Sequence, residues 1–311
     1  MAAAIIDVYR ALDQWAPFDT QMDFDNAGFL VGRGEREVRR VLVSLDITEA
    51  VAAEAGRWGA ELIVSHHPVI FHPVKALTDQ TSTGRTLLLL AEQGIGAVCA
   101  HTNLDAAQGG VNDCLARALE LDGVELLCRD GTDGQGRPYG IGRVGTAPQA
   151  GCSAAEFAAF IKEKLSACSV RFVETGRPVR RVAVGGGACA SMLSDALAAG
   201  CDTFVTADVK YDQYLEAKAL GINLMDAGHF ATEDVVCPAL VQLLSRHFPL
   251  VVVGGSVTVR VAYVSVCVWG IRGKFYLHFE KCCGIILWSD NGRSSAAPQR
   301  QRGRRPARTP I

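Results

Sequence analysis

Glu61-Leu-Ile-Val-Ser-His-His-Pro68 is a short apolar run that ends in two adjacent imidazoles and a proline. Its length and aliphatic content read as a buried strand. A second such run, Ala97-Val-Cys-Ala100, passes directly into His101-Thr-Asn-Leu-Asp105. A third, Ile222-Asn-Leu-Met225, leads into Asp226-Ala-Gly-His229, and Glu233 follows one helical turn later. Helical spacing of apolar residues surrounds these runs, over Ile5 to Trp15, Thr48 to Trp58, Thr83 to Gln93 and Val111 to Leu121. Arg40-Val-Leu-Val-Ser-Leu-Asp46 adds a further strand. The alternation predicts an α/β fold with parallel or mostly parallel sheets flanked by helices. Imidazole and carboxylate groups then collect at the carboxyl ends of strands, where open α/β sheets bind ligands.

Neighbouring residues on a regular strand point to opposite faces, so His66 and His67 act together only if the strand breaks there. Pro68 supplies the break. A helix starting near His229 puts His229 and Glu233 on one face through their i,i+4 spacing. Of the seven histidines, His66, His67, His101 and His229 all fall in these stretches. Imidazole with carboxylate suits zinc, iron or manganese. The set exceeds the three or four donors that one catalytic zinc takes, which points to two divalent ions at one site. Any one of these histidines, taken alone, reads as a satisfied polar residue at the start of a loop, and the convergence of three stretches is what favours a metal. His72, inside Phe71-His72-Pro73, reads as a loop residue.

Four motifs carry a resemblance: Asp25-Asn-Ala-Gly28-Phe-Leu-Val-Gly32, Ser65-His-His-Pro-Val-Ile-Phe71, His101-Thr-Asn-Leu-Asp105 and Asp226-Ala-Gly-His-Phe-Ala-Thr-Glu233. Together, and in this order up to about residue 253, they resemble the NIF-three-like family. Its members carry the names GTP cyclohydrolase 1 type 2 homologue and dinuclear metal centre hexameric protein. The resemblance implies metal ligation by His66, His67, Asp105, His229 and Glu233, and a homohexamer. It also implies two α/β lobes: residues 1–125 with 225–255 as the metal-binding lobe, and residues 126–224 as the middle lobe. His101 is the candidate for a supporting role behind the ligands or for proton transfer. The loop at Asp25 to Gly28, by composition a tight turn, is implied to lie near the metals.

The activity implied is that of a metal-dependent hydrolase, acting through a metal-activated water on a small molecule such as a nucleotide or phosphoester. No Asn-Lys-x-Asp motif or P-loop for guanine nucleotides is present. The competing class is a non-enzymatic metal-binding or partner-binding regulatory protein. A donor set of nitrogen and oxygen without cysteine favours a centre that exchanges water over a closed structural site.

Several residues have two readings. Asp46, at a strand end, either orients a ligand imidazole or caps the next helix. Gly185-Gly-Gly187 between a strand and a helix has the layout of a phosphate cradle, but the Lys of a P-loop and the GxGxxG spacing are missing, which favours close helix-to-strand packing. Thr206-Ala207-Asp208 departs from the Thr-Gly-Asp the family often carries, with Asp212 near where a His would fall. Asp208 is a candidate for substrate contact or for support of a ligand, and Asp212 receives no role.

Composition excludes little. A hydrophobic content of 49%, a charged content of 21% and a net charge of −2 are ordinary for a globular protein and give no global case for nucleic acid. Residues 291–311 are different, holding Arg293, Arg300, Arg302, Arg304, Arg305 and Arg308 and no acid. Residues 256–311 are expected to be an atypical, partly disordered extension, with RNA contact limited to this basic tail. The abrupt change after Gly254 is read as a C-terminus of aberrant origin, such as a shifted reading frame. The 11 cysteines are scattered without a CxxC pair, and no basic-then-apolar segment opens the sequence. Cytoplasm and free thiols are therefore expected. No apolar run is long enough to span a membrane.

Overall fold

The apolar runs become strands and the periodic segments become helices with nearly the bounds their sequence suggests. The computed structural model describes residues 3–256, 266–271 and 274–279. In chain order, α1 (Ile5–Trp15) precedes β1 (Gly28–Val31), β2 (Arg40–Ser44), α2 (Glu49–Trp58), β3 (Leu62–Ser65), α3 (Ser82–Gln93) and β4 (Gly96–Cys99). Short α4 (Thr102–Ala106) and α5 (Val111–Ala118) lead into the middle of the chain. There β5 (Asp122–Leu126), β6 (Arg143–Thr146), α6 (Ala154–Lys164), β7 (Arg171–Val173), β8 (Arg181–Val184) and α7 (Leu193–Ala198) are followed by β9 (Thr203–Thr206), α8 (Tyr211–Leu220) and β10 (Asn223–Asp226). The chain returns through α9 (His229–Glu233) and α10 (Cys237–His247) to β11 (Val252–Gly255).

The first sheet has the order β11-β2-β3-β4-β1, parallel throughout except for β1. Its residues alternate between two covered faces, as the two-residue period of a strand requires. Val41, Val43, Leu62, Val64 and Val98 pack under α1 and α10. Leu42, Ile63, Ala97 and Cys99 pack under α2 and α3. The second sheet has the order β7-β10-β9-β8-β6-β5, in which β8, β9 and β10 are parallel and the outer strands antiparallel. Val182, Val184, Val205 and Met225 meet Phe157 and Ile161 of α6, while Ala183, Phe204 and Leu224 meet Leu193 and Ala217 of α7 and α8. These are the two α/β lobes. Positions 125 and 225 fall inside β5 and β10, both of which pair in the second sheet.

Local departures from the expected elements have local causes. The strand-like stretch from Tyr139 to Thr146 is interrupted, because Gly142 adopts φ +77° and turns the chain before β6 begins. The helix that starts at His229 stops after Glu233, passes through a 3-10 turn at Asp234–Val236 and restarts as α10 with a proline in its first turn. Pro238 has no N–H to give to the preceding turn, so a continuous helix is disfavoured there. Strands β1 and β5 were not expected from the sequence.

Contacts divide the chain into two compact units, one through Ser265 and one from Val266. In the second, Val266–Ile271 pairs antiparallel with Lys274–Phe279. The expected extension and its arginines otherwise lie outside the described residues. Cys99, Cys114, Cys128, Cys152, Cys168, Cys189, Cys201 and Cys237 are free thiols, and among the described residues no helix is long and apolar enough to cross a membrane.

One buried cation fastens the lobes beside the metal-site motifs. Arg143 opens β6 and is 2% exposed. Its guanidinium donates to both Asp113 carboxylate oxygens, at 2.9 and 2.8 Å. It also donates to the carbonyls of Gly140 and Gly142 at 2.8 Å and of Ala107 at 3.0 Å. Ala107 ends α4, the helix that carries Asp105. Arg143→Leu strands the Asp113 carboxylate and these carbonyls, and is expected to cost about 3–5 kcal/mol. The urea unfolding midpoint measures this, and an unchanged midpoint refutes the role.

Candidate metal centre

The ends of β3 and β4 and the start of α9 deliver their polar groups to one place. β3 finishes at Ser65, whose hydroxyl donates to the His67 carbonyl at 2.8 Å and helps to turn the chain. The turn lets both adjacent imidazoles face the same centre. His66 is fully buried and His67 partly so. His101 follows β4 and opens α4, which presents Asp105. On α9, the i,i+4 spacing brings His229 Nε2 to 3.0 Å from Glu233 Oε2.

Each imidazole is aimed by a hydrogen bond at Nδ1. His66 donates to the Ala100 carbonyl at 2.8 Å, which leaves its Nε2 lone pair turned inward. The Nδ1 atoms of His67, His101 and His229 each lie 2.7 Å from a carboxylate oxygen, of Asp46, Asp25 and Asp208 respectively. Partners of this kind fix the ring orientation of metal-binding histidines. Asp46 thus orients an imidazole, because Thr48 takes the cap of α2. Asp25 confirms that the loop before β1 adjoins the site. Asp208, held at φ +52°, reaches His229 from the second lobe, whereas Asp212 and His72 are exposed.

Three overlapping groups offer ligand atoms within 4.8 Å of one another: His66, His67 and His101; His67, His229 and Glu233; His66, Asp105 and Glu233. All the sequence-derived candidates therefore converge, and the arrangement can hold a metal ion. Its donor chemistry fits one. His66 Nε2 and Asp105 Oδ1 are buried 3.6 Å apart, and neither has a hydrogen-bond partner in the protein. Such atoms are costly in an interior unless something satisfies them.

The charges are strongly coupled. Burial opposes ionisation of Glu233, but hydrogen bonds from His229 and His67, with the His66 imidazole close by, hold its carboxyl well below the usual range. Burial pushes the Asp105 carboxyl up to about 7, against the pull of His66 and with Glu233 adding to the rise. Burial works against charge on His67 and His229 as well. The carboxylates Asp46 and Glu233 nevertheless raise His67 to about 10. Glu233 and Asp208 raise His229 to about 9.

The triple glycine takes the packing role that the missing P-loop Lys favoured. Gly186 N–H donates to Asn112 Oδ1 at 2.9 Å and Gly187 N–H to Thr232 Oγ1 at 3.0 Å. Those amides are occupied, so the loop is a packing element and not a phosphate cradle. Gly187 has φ +65°, and a Cβ there would sit 2.1 Å from Glu233 Oε1. The run of glycines was the available signal, but its partner in α9 is remote in sequence.

The family model Duf34/NIF3 (NGG1p interacting factor 3) matches residues 3–262. A Clostridium perfringens protein named GTP cyclohydrolase 1 type 2 homolog is 32% identical over 77% of this chain and 89% of its own length. A Streptomyces coelicolor protein of the same name is 38% identical over 74% of this chain and 82% of its own. Among solved structures, a Staphylococcus aureus hypothetical protein superposes with a TM-score of 0.78 at 30% identity, covering 82% of this chain and 97% of that one. A Bacillus cereus protein related to NIF3 gives 0.79 at 24% identity, covering 85% and 99%, and supports the fold.

Two measurements follow from the site. Gly187→Ala drives a methyl group into Glu233 and is expected to weaken zinc affinity roughly 10- to 100-fold, the effect of disturbing a ligand's support. Competition with a chromogenic chelator reads this, and wild-type affinity overturns it. The second concerns pH. Imidazoles raised in the folded state stabilise it fully below their unfolded value, about 6.5. They lose that contribution as pH rises through about 9 for His229 and about 10 for His67. A metal ion needs the neutral rings. The rise in Tm on adding zinc should therefore grow between about pH 6 and pH 9. A pH-independent rise refutes the protonated metal-free state.

Proposed function

Since the chain belongs to the Duf34/NIF3 family, we propose that it is a metal-dependent hydrolase whose centre holds two divalent ions. His66, His67, Asp105, His229 and Glu233 are the ligands in this reading. The observation that carries it is the buried pair His66 Nε2 and Asp105 Oδ1, each without a protein partner. A cation satisfies both at once. The overlap of the donor groups supports two ions over one, and Glu233, common to two groups, is the natural shared carboxylate.

Bound divalent ions supply Lewis-acid charge and bring the acidity of water towards neutrality. The chain's own groups do the remaining work. Asp46, Asp208 and the Ala100 carbonyl hold three imidazoles in the orientation that turns Nε2 to the centre. His101, held by Asp25 and grouped with His66 and His67, is placed to move a proton to a leaving group. His229 and Asp208 are the exposed flank, with side chains 36% and 56% accessible. A small molecule enters on that side. The name of the curated relatives makes a nucleotide one candidate substrate.

Elemental analysis of the purified chain is expected to find about two metal equivalents, and Asp105→Ala to lose at least one of them. Hydrolysis of a panel of nucleotides and phosphoesters should disappear on chelation and return with zinc or manganese. Metal content unaffected by Asp105→Ala overturns the site. Two equivalents without any hydrolysis overturn the enzyme and leave a regulatory metal protein.

A further inference from the structure

Two loops meet over His101. The one before β1 is tied to the one after β3 by the Asn26 side-chain amide, which donates to the Ile70 carbonyl at 2.5 Å. It is tied to the cluster by Asp25, which pairs with His101 Nδ1 and accepts from the Thr102 N–H and hydroxyl. Each loop presents a phenylalanine. Phe24 is 64% exposed and Phe71 40% exposed. Their centroids lie 6.5 Å apart with planes at 67°. Phe71 also stands edge-on to the His101 imidazole, at 6.0 Å and 88°.

Single exposed apolar side chains are ordinary. This pair differs in its attachment. Neither ring belongs to the core clusters under the two faces of the first sheet, and both are positioned through contacts that end on His101. Whatever covers Phe71 lies about one ring width from an imidazole of the cluster. A small occupant of that position can place a reacting bond beside His101. Two rings inclined to one another offer a π face and an edge, the geometry into which a third planar ring packs.

We infer that Phe24 and Phe71 form a subsite for a planar heteroaromatic ring, held beside His101 with the hydrolysable bond directed to the cluster. The inference rests on the metal-dependent reading above and deepens it by naming the substrate class.

The test titrates the metal-loaded full chain calorimetrically with guanosine and nicotinamide as planar probes and ribose 5-phosphate as a non-planar one. Saturable binding of the planar probes is expected. Phe71→Ala and Phe24→Ala should each weaken it roughly tenfold, as loss of a stacking ring does. Phe71→Trp should restore it, while Phe71→Leu should not. Metal content should be the same in all four variants. Absence of planar-probe binding by the wild type, undiminished affinity in Phe71→Ala, or full affinity in Phe71→Leu overturns the subsite. A change of oligomeric mass in the alanine variants with guanosine affinity intact also overturns it, in favour of a second copy of this chain on the rim. A chain that takes up no metal yet binds the planar probes supports the subsite and overturns the metal-dependent reading alone.

Discussion

The structure turns on one buried carboxylate. Glu233 is 3% exposed, and a lone ionised carboxyl could not stay charged at that depth. His67 and His229 hold it by hydrogen bonds at 2.8 and 3.0 Å, and His66 stands 3.8 Å away. Those imidazoles are held in turn by Asp46, Asp208 and the Ala100 carbonyl. Removing any member leaves a buried charge or an unpaired nitrogen, so the cluster is set as a whole. Gly187 completes it, since a Cβ there would sit 2.1 Å from Glu233 Oε1 and the carboxylate would have to shift.

This network explains why two lobes are needed. The first sheet alone supplies His66, His67, His101 and Asp105 from the carboxyl ends of adjacent parallel strands. Glu233 and His229 come from the helix that follows the last parallel strand of the second sheet, and Asp208 and Gly187 from loops after β9 and β8. Both sheets thus point their carboxyl ends at one seam. Arg143 fastens that seam a few residues from Asp105.

Much of this was legible in the sequence, and the rest failed for definable reasons. Strands β3 and β4 announced themselves as unbroken aliphatic runs because both faces of their sheet are covered. The i,i+4 pair on α9 and the break at Pro68 followed from local geometry. β5 was invisible because Asp122, Gly123, Val124 and Glu125 are all exposed on an edge strand, so no apolar pattern marks them. β1 was hidden behind a turn composition, as Asn26 and Gly28 spoke more loudly than the short Phe-Leu-Val that follows. The two readings of Asp46 could be separated only by seeing that Thr48 already capped α2. The meeting of Gly187 with Glu233 is a contact between remote segments, and spacing carries no trace of it.

Asp208 and Gly187 belong to one lobe, while His67 and Asp105 belong to the other. On the proposed metal reading, an ion in this cluster sits among donors that both lobes hold in place, so its binding also stabilises the contact between the lobes. By reciprocity, a substitution that loosens that contact lowers the ion's affinity by the same factor.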